Sequence, residues 1–139
     1  MHADNRIRLM QIIDFARAEL KDLAKYNGLS LNEYRDNKDT RRLVDRIIEN
    51  ATNALIDAAK IIIIEQTIEL PDSYAGIMEE VSRVLELSEE QRLKLIQISK
   101  LRNILAHEYL NIKFERITDF ILDGRKTAET VLKKAAEKL

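Results

Sequence analysis

The sequence predicts an all-α fold, an antiparallel bundle of four main helices with one or two short helices. Only three glycines and one proline occur among 139 residues, so the chain contains few helix breakers. Apolar residues make up 45% of the chain and recur three or four positions apart, which places them on one face of a helix. The length suits one domain with its own core, and we expect a single domain over residues 1–139.

The first helix is predicted to run from Ile7 to Tyr26. The Asn-Gly pair at 27–28 supplies its C-terminal stop, because glycine adopts the left-handed conformation at little cost. The stretch "SLNE" (residues 30–33) has the spacing of a capping box and predicts a short helix that ends near Asp36. The apolar residues expected on the buried face of the first helix are Ile7, Met10, Ile13, Phe15 and Leu20.

The longest helix is predicted to begin at Asp39 or Thr40 and to end near Ile68, before Pro71. Its small alanines would let another helix approach closely, and the four isoleucines at 61–64 cover nearly every face, so we expect that end to be buried on several sides. The apolar seam expected along this helix consists of Leu43, Ile47, Ala51, Ala54, Leu55, Ala58, Ile61 and Ile62.

Three further helices complete the predicted bundle. Ser73 is a candidate N-cap for a helix that ends near Glu86, and Ser88 with Gln91 forms another capping-box pattern. The stretch "LNIK" (residues 110–113) breaks the register, so a last helix is expected from about residue 114 towards 139, with Gly124 as a weak point. The apolar residues expected along the helix after Ser88 are Leu93, Ile96, Leu101, Ile104 and Leu105.

Composition limits the possible functions. The net charge is −1, so any RNA contact would depend on a local patch, and the absence of cysteine excludes disulfides and thiolate metal sites. Arg41, Arg42 and Arg46 lie on or near one helical stripe and either extend an RNA path or, as we favour, only solubilise the helix. No signal peptide or membrane-spanning run is recognisable, which favours a soluble cytoplasmic protein; we expect no cofactor and no metal.

The stretch "RNILAHEY" (residues 102–109) gathers polar groups inside an apolar helix. If residues 95–109 form one helix, Arg102 and Tyr109 share a stripe, seven residues apart. Asn103 and His107 share the adjacent stripe, four residues apart, so the amide can orient the imidazole. The small Ala106 lies between them. This sorting predicts a polar site on a rigid helix.

These groups suit attack on an RNA phosphodiester. A neutral imidazole can take the proton of a ribose 2′-hydroxyl, and its protonated form can give one to the leaving oxygen. A guanidinium matches two phosphate oxygens. Because the chain offers one useful histidine, we expect two copies to meet across a two-fold axis and to combine two copies each of His107 and Arg102 in one groove.

The motif R-x4-H-x-Y and its surroundings resemble a HepT-type toxin of the HEPN nuclease superfamily. The similarity includes "LSLNEYRDNKDTRRLVDRIIENATNALIDAAKIII", "LPDSYAGIMEEV" and "RNILAHEYLNI", and it covers most of residues 5–135. A bare R-x4-H pattern is weak evidence, since short patterns recur by chance. The longer pattern near the end of an all-α chain of this length is much more specific.

The resemblance implies a prokaryotic, metal-independent endoribonuclease toxin of a type II (HEPN/MNT) toxin–antitoxin system, with its active site at a homodimer interface. By resemblance, Arg102 and His107 match the catalytic pair, and Asn103 matches the polar residue that commonly follows the arginine. Tyr109 matches the tyrosine that a partner antitoxin, a minimal nucleotidyltransferase, modifies with AMP. The substrate class would be RNA, either mRNA or tRNA.

Simpler interpretations stay open for each residue. His107 could be an ordinary surface histidine, Arg102 could pair with Glu108, and Tyr109 could lie at the rim of the core. The alternative function is a non-catalytic helical module that binds a nucleotidyltransferase or RNA without cutting it.

Overall fold

The computed structural model describes residues 1–107 and 109–139, apart from the side chain of His107. This part of the chain is helical and contains no β-strand, which confirms the all-α prediction. None of its helices combines the length and the apolar character needed to cross a membrane. The helices are α1 (Ala3–Leu23), α2 (Leu31–Asp36), α3 (Lys38–Glu65), α4 (Tyr74–Val84), α5 (Glu89–Ser99), α6 (Leu101–His107), α7 (Leu110–Asp119) and α8 (Arg125–Ala136).

Helix α1 buries a different face from the predicted one. Ile13 and Leu20 are buried as expected, but Ile7, Met10 and Phe15 are about half exposed. The true stripe alternates steps of four and three residues, which keeps its members within about 40° of one direction on a helix. Ile7, Met10 and Phe15 deviate from this direction by roughly 100° or more. The buried residues of α1 are Leu9, Ile13, Ala16, Leu20 and Leu23.

Helix α3 begins and ends slightly earlier than predicted. Its N-cap is Asn37, whose side chain accepts a hydrogen bond from the backbone N–H of Thr40 at 3.1 Å. The helix ends at Glu65, six residues before Pro71, so the prediction that Pro71 ends it was wrong. Thr67 has a φ of 57°, and this left-handed residue turns the chain instead.

The predicted seam of α3 is buried except at its start. Ile61, Ile62 and Ile63 lie in the core, whereas Ile64 is 53% exposed and Leu43 is 50% exposed. Helix α3 packs against α1, α4 and α8, and its neighbours α2, α5 and α6 also touch it. It is therefore the central helix of the described fold.

The predicted serine caps are confirmed. Ser73 accepts a hydrogen bond from the backbone N–H of Gly76 at 3.0 Å, which starts α4. Ser88 and Gln91 form both halves of a capping box at the start of α5. The prediction of a single helix over residues 95–109 was wrong, however, because α5 ends at Ser99 and α6 begins at Leu101. Leu93, expected in the core, is 54% exposed.

The last helical segment begins earlier than predicted and ends at Ala136. Leu110 begins α7, so "LNIK" forms its first turn, and a π-helical turn at Phe120–Gly124 leads into α8 without a break. Gly124 is therefore no helix end. A Cβ atom on Gly124 would lie 2.7 Å from Cδ2 of Phe120, whose ring is buried, so the turn leaves no room for a side chain there.

We predict that Gly124→Ala destabilises the protein by about 1–2 kcal/mol, because overpacking against Phe120 outweighs the better helix propensity of alanine. A thermal melt followed by circular dichroism should show a lower midpoint. Gly28→Ala is the matched control, since a Cβ at Gly28 meets nothing within 4 Å. A melting temperature of Gly124→Ala at or above that of the wild type would contradict the prediction.

Candidate functional site

Helix α6 presents the polar half of the motif outwards. Leu101 is 4% exposed and anchors the helix in the core, while Ile104 and Leu105 are half-buried. The side chains of Arg102, Asn103 and Ala106 are exposed. The separation of Arg102 and Asn103 from the apolar residues agrees with the face predicted for them, although the helix is shorter.

Arg102 lies at an open cleft of about 550 Å³ between α6, α3 and α4. Helix α3 contributes two carboxylates to the cleft, and α4 contributes one aromatic ring. Among the described side chains, no group of three or more His, Asp or Glu residues is arranged to hold a metal ion. The residues lining the cleft are Asp45, Glu49, Tyr74, Arg102, Asn103, Leu105 and Ala106.

Asp45 is held in place by two partners from other helices. The hydroxyl of Tyr34 donates to Oδ1 of Asp45 at 2.5 Å, and Nζ of Lys113 lies 2.8 Å from Oδ2. Tyr34 is fully buried, and its ring packs at 5.6 Å from that of Phe114. This cluster, which we call the Asp45 clasp (Tyr34, Asp45 and Lys113), ties α2, α3 and α7 together near the cleft.

The clasp shifts the ionisation of Tyr34. Burial is the main cause that raises the pKa of its hydroxyl, and the hydrogen bond to Asp45 and the negative charge of Asp45 raise it further. The hydroxyl therefore remains protonated and donates to the carboxylate in the folded chain.

The guanidinium of Arg102 lies over the ring of Tyr74, with its central carbon 4.9 Å from the ring centroid. The ammonium of Lys60 lies 5.9 Å from the same centroid. A cation is attracted to the negative face of an aromatic ring at such distances. Tyr74 was quoted only as part of a resembling stretch, and nothing in the sequence pattern brought it to Arg102.

The other motif residues are described in part. His107 is the last residue of α6, but its side chain and all of Glu108 lie outside the described residues. The proposed Arg102–Glu108 pair therefore lies outside them as well. Tyr109 has an extended backbone and directly precedes α7, so the prediction that it shares a helical stripe with Arg102 was wrong. Its side chain is 85% exposed, which also excludes the core-rim interpretation.

Two of the three arginines on α3 have structural partners. Arg41 donates to the carbonyl of Arg35 at 2.8 Å and to that of Tyr34 at 3.5 Å, and so caps the end of α2. Arg46 pairs with Glu49 at 3.5 Å. Arg41 therefore has a structural role that the sequence did not predict, whereas the exposed Arg46–Glu49 pair agrees with the interpretation that the stripe solubilises the helix.

The fold and the cleft define an all-helical protein with an arginine-bearing polar site on a short helix. The family model described as Ribonuclease HepT-like matches residues 16–135 of the chain. The chain therefore belongs to the HepT-like ribonuclease family, as the resemblance of the motif and its surroundings indicated. No curated protein matches the chain.

We predict that ionisation of Tyr34 is linked to unfolding. Because its pKa is raised in the folded state, the stability it contributes is present below about pH 10, where the unfolded hydroxyl keeps its proton. This stability is lost as the pH rises above that value, by about 1.4 kcal/mol per pH unit. Denaturant unfolding at a series of alkaline pH values measures the slope.

Tyr34→Phe supplies the control, because phenylalanine cannot ionise. This variant should be less stable at neutral pH, since it loses the hydrogen bond to Asp45, but should lack the extra alkaline slope. If the free energy of unfolding fell equally in the wild type and in Tyr34→Phe above about pH 10, ionisation of Tyr34 would not be the cause of the alkaline destabilisation.

Proposed function

We propose that the chain is a metal-independent endoribonuclease toxin in which Arg102 and His107 cleave RNA. Asn103 supports the site, and a homodimer brings two copies of the site into one groove. Membership of the HepT-like ribonuclease family carries this proposal. The exposed guanidinium of Arg102 beside Asn103, in a cleft open to a polymer, supports the residue assignment.

The proposed chemistry follows from the donors and acceptors of the motif. The His107 of one copy removes the proton from the ribose 2′-hydroxyl, and the 2′-oxygen attacks the adjacent phosphorus. The bond to the 5′-oxygen breaks, and the protonated His107 of the second copy gives a proton to that leaving oxygen. Arg102 balances the charge that develops on the phosphate oxygens. The products are a 2′,3′-cyclic phosphate and a 5′-hydroxyl.

Control of the toxin is the second part of the proposal. A minimal nucleotidyltransferase antitoxin transfers AMP to the hydroxyl of Tyr109, with pyrophosphate leaving from ATP. The high exposure of Tyr109 supports this, because a transferase must reach the hydroxyl. The added nucleotide brings a phosphate and a base two residues beyond the end of α6, where it would compete with RNA.

We predict that purified, unmodified protein cleaves single-stranded RNA in the presence of EDTA. His107→Ala and Arg102→Ala should each lower the rate by at least about 100-fold, because each removes a group needed in the transition state. Arg17→Ala is the matched control, since Arg17 is an exposed arginine on α1, outside the cleft.

Two results would contradict the proposal. One is cleavage by His107→Ala at the wild-type rate. The other is binding of RNA without cleavage by the unmodified wild-type protein, which would support the non-catalytic module instead. Circular dichroism must show an unchanged helix content in each variant.

We predict that co-expression with the proposed nucleotidyltransferase antitoxin adds one or more AMP units to the chain, and that Tyr109→Phe abolishes the mass increase. Intact-mass spectrometry measures the mass increase, and peptide mapping locates the modified residue. Tyr26→Phe is the control, because Tyr26 is half-buried and should not be the acceptor. Modification that persists in Tyr109→Phe would overturn the assignment of this residue.

A further inference from the structure

The cleft contains two carboxylates that could neutralise Arg102, but both have other partners. Each oxygen of Asp45 is engaged in the clasp, one by the hydroxyl of Tyr34 and the other by the ammonium of Lys113. Glu49 pairs with Arg46 on its own helix. Among the described residues, the guanidinium of Arg102 instead contacts the ring of Tyr74.

An aromatic ring and a carboxylate affect an arginine differently. A carboxylate accepts the N–H groups of the guanidinium and cancels its charge, so it competes with a phosphate for the same donors. A ring contacts the flat face of the guanidinium and leaves the N–H groups at its edge available. The contact between the guanidinium carbon of Arg102 and the ring of Tyr74, at 4.9 Å from the ring centroid, therefore orients Arg102 without cancelling its charge.

The backbone of Tyr74 lies in a tight turn. Tyr74 is the first residue of α4, directly after the N-cap Ser73. A Cβ atom on Gly76 would lie 3.0 Å from the side chains of both Pro71 and Ser73, so this turn is closely packed. Helix α4 in turn packs on α3. The backbone from which the ring extends therefore has a defined position, and the ring, 42% exposed, lies at the cleft beside Arg102.

We propose that Tyr74 is a positioning residue that holds the guanidinium of Arg102 in place to bind a phosphate of RNA. The aromatic ring carries this role and the hydroxyl does not. The inference rests on the proposed ribonuclease function and assigns that site a residue outside the R-x4-H-x-Y motif.

Binding of a single-stranded RNA with methylated 2′-hydroxyls tests the contact, because this RNA cannot be cleaved by the proposed route. Tyr74→Leu should weaken binding about 5- to 30-fold in the wild-type background and have no further effect on Arg102→Ala. Tyr74→Phe and Tyr74→Trp should restore most of the affinity, because both keep a ring. Equal weakening by Tyr74→Leu in both backgrounds would mean that the ring acts on RNA without Arg102, and would overturn the proposal.

A second measurement does not depend on RNA. In an NMR spectrum, the Nε–Hε signal of Arg102, assigned by its loss in Arg102→Lys, should carry a ring-current shift that disappears in Tyr74→Leu. The Nε–Hε signal of Arg125, assigned by its loss in Arg125→Lys, is the matched control. Nε of Arg125 donates a hydrogen bond to the carbonyl of Ile121, so this signal should not respond to Tyr74→Leu. An Arg102 signal unaffected by Tyr74→Leu overturns the inference alone. If the Arg102 signal shifts in Tyr74→Leu but the wild-type protein neither binds nor cleaves RNA, the proposed function is overturned and the contact between Tyr74 and Arg102 stands.

Discussion

The burial of α3 is the constraint on which the rest of the structure depends. Helices α1, α4 and α8 pack on it, and α2, α5 and α6 also touch it. Asp45, Glu49 and Lys60 lie within about 60° of one another around its axis, so the packed helix fixes them along one side. That side faces the cleft through Asp45 and Glu49. The buried residues of α3 are Val44, Ile47, Ile48, Ala51, Thr52, Ala54, Leu55, Ile56, Ala58, Ala59, Ile61, Ile62 and Ile63.

The electrostatics of the cleft follow from this arrangement. Carboxylates near an anion-binding arginine would repel a phosphate and attract the arginine. Here the charge of Asp45 is matched by Lys113, from a helix that begins directly after Tyr109, and by the donated hydroxyl of Tyr34. The clasp thus connects the central helix to the segment proposed for modification. The same network engages both oxygens of Asp45, so this carboxylate does not compete for the guanidinium of Arg102.

The sequence predicted local features such as helix caps, but not which residues of different helices come into contact. Serine caps are read from four adjacent residues, and those at Ser73 and Ser88 occur as expected. The break after Ser99 was missed because no glycine or proline marks it. A second helix end, at His107, separates Tyr109 from the helix of Arg102. The contact between Tyr74 and Arg102 joins residues 28 positions apart on different helices, so no short pattern could reveal it. The motif predicted a chemistry for the site, and only the fold brought Tyr74 to Arg102.

The central claim of the proposed function is that the one useful histidine of each chain, His107, suffices only when a second chain supplies another copy of it. Mixed dimers test it most directly: a wild-type protomer and a His107→Ala protomer carry different tags, and the mixed dimer is purified by both tags in turn. If acid and base come from different copies, the mixed dimer should cleave RNA at a small percentage of the wild-type rate or less, because one of the two proton transfers is lost. Half of the wild-type rate in the mixed dimer would mean that each chain works alone, and would contradict the account.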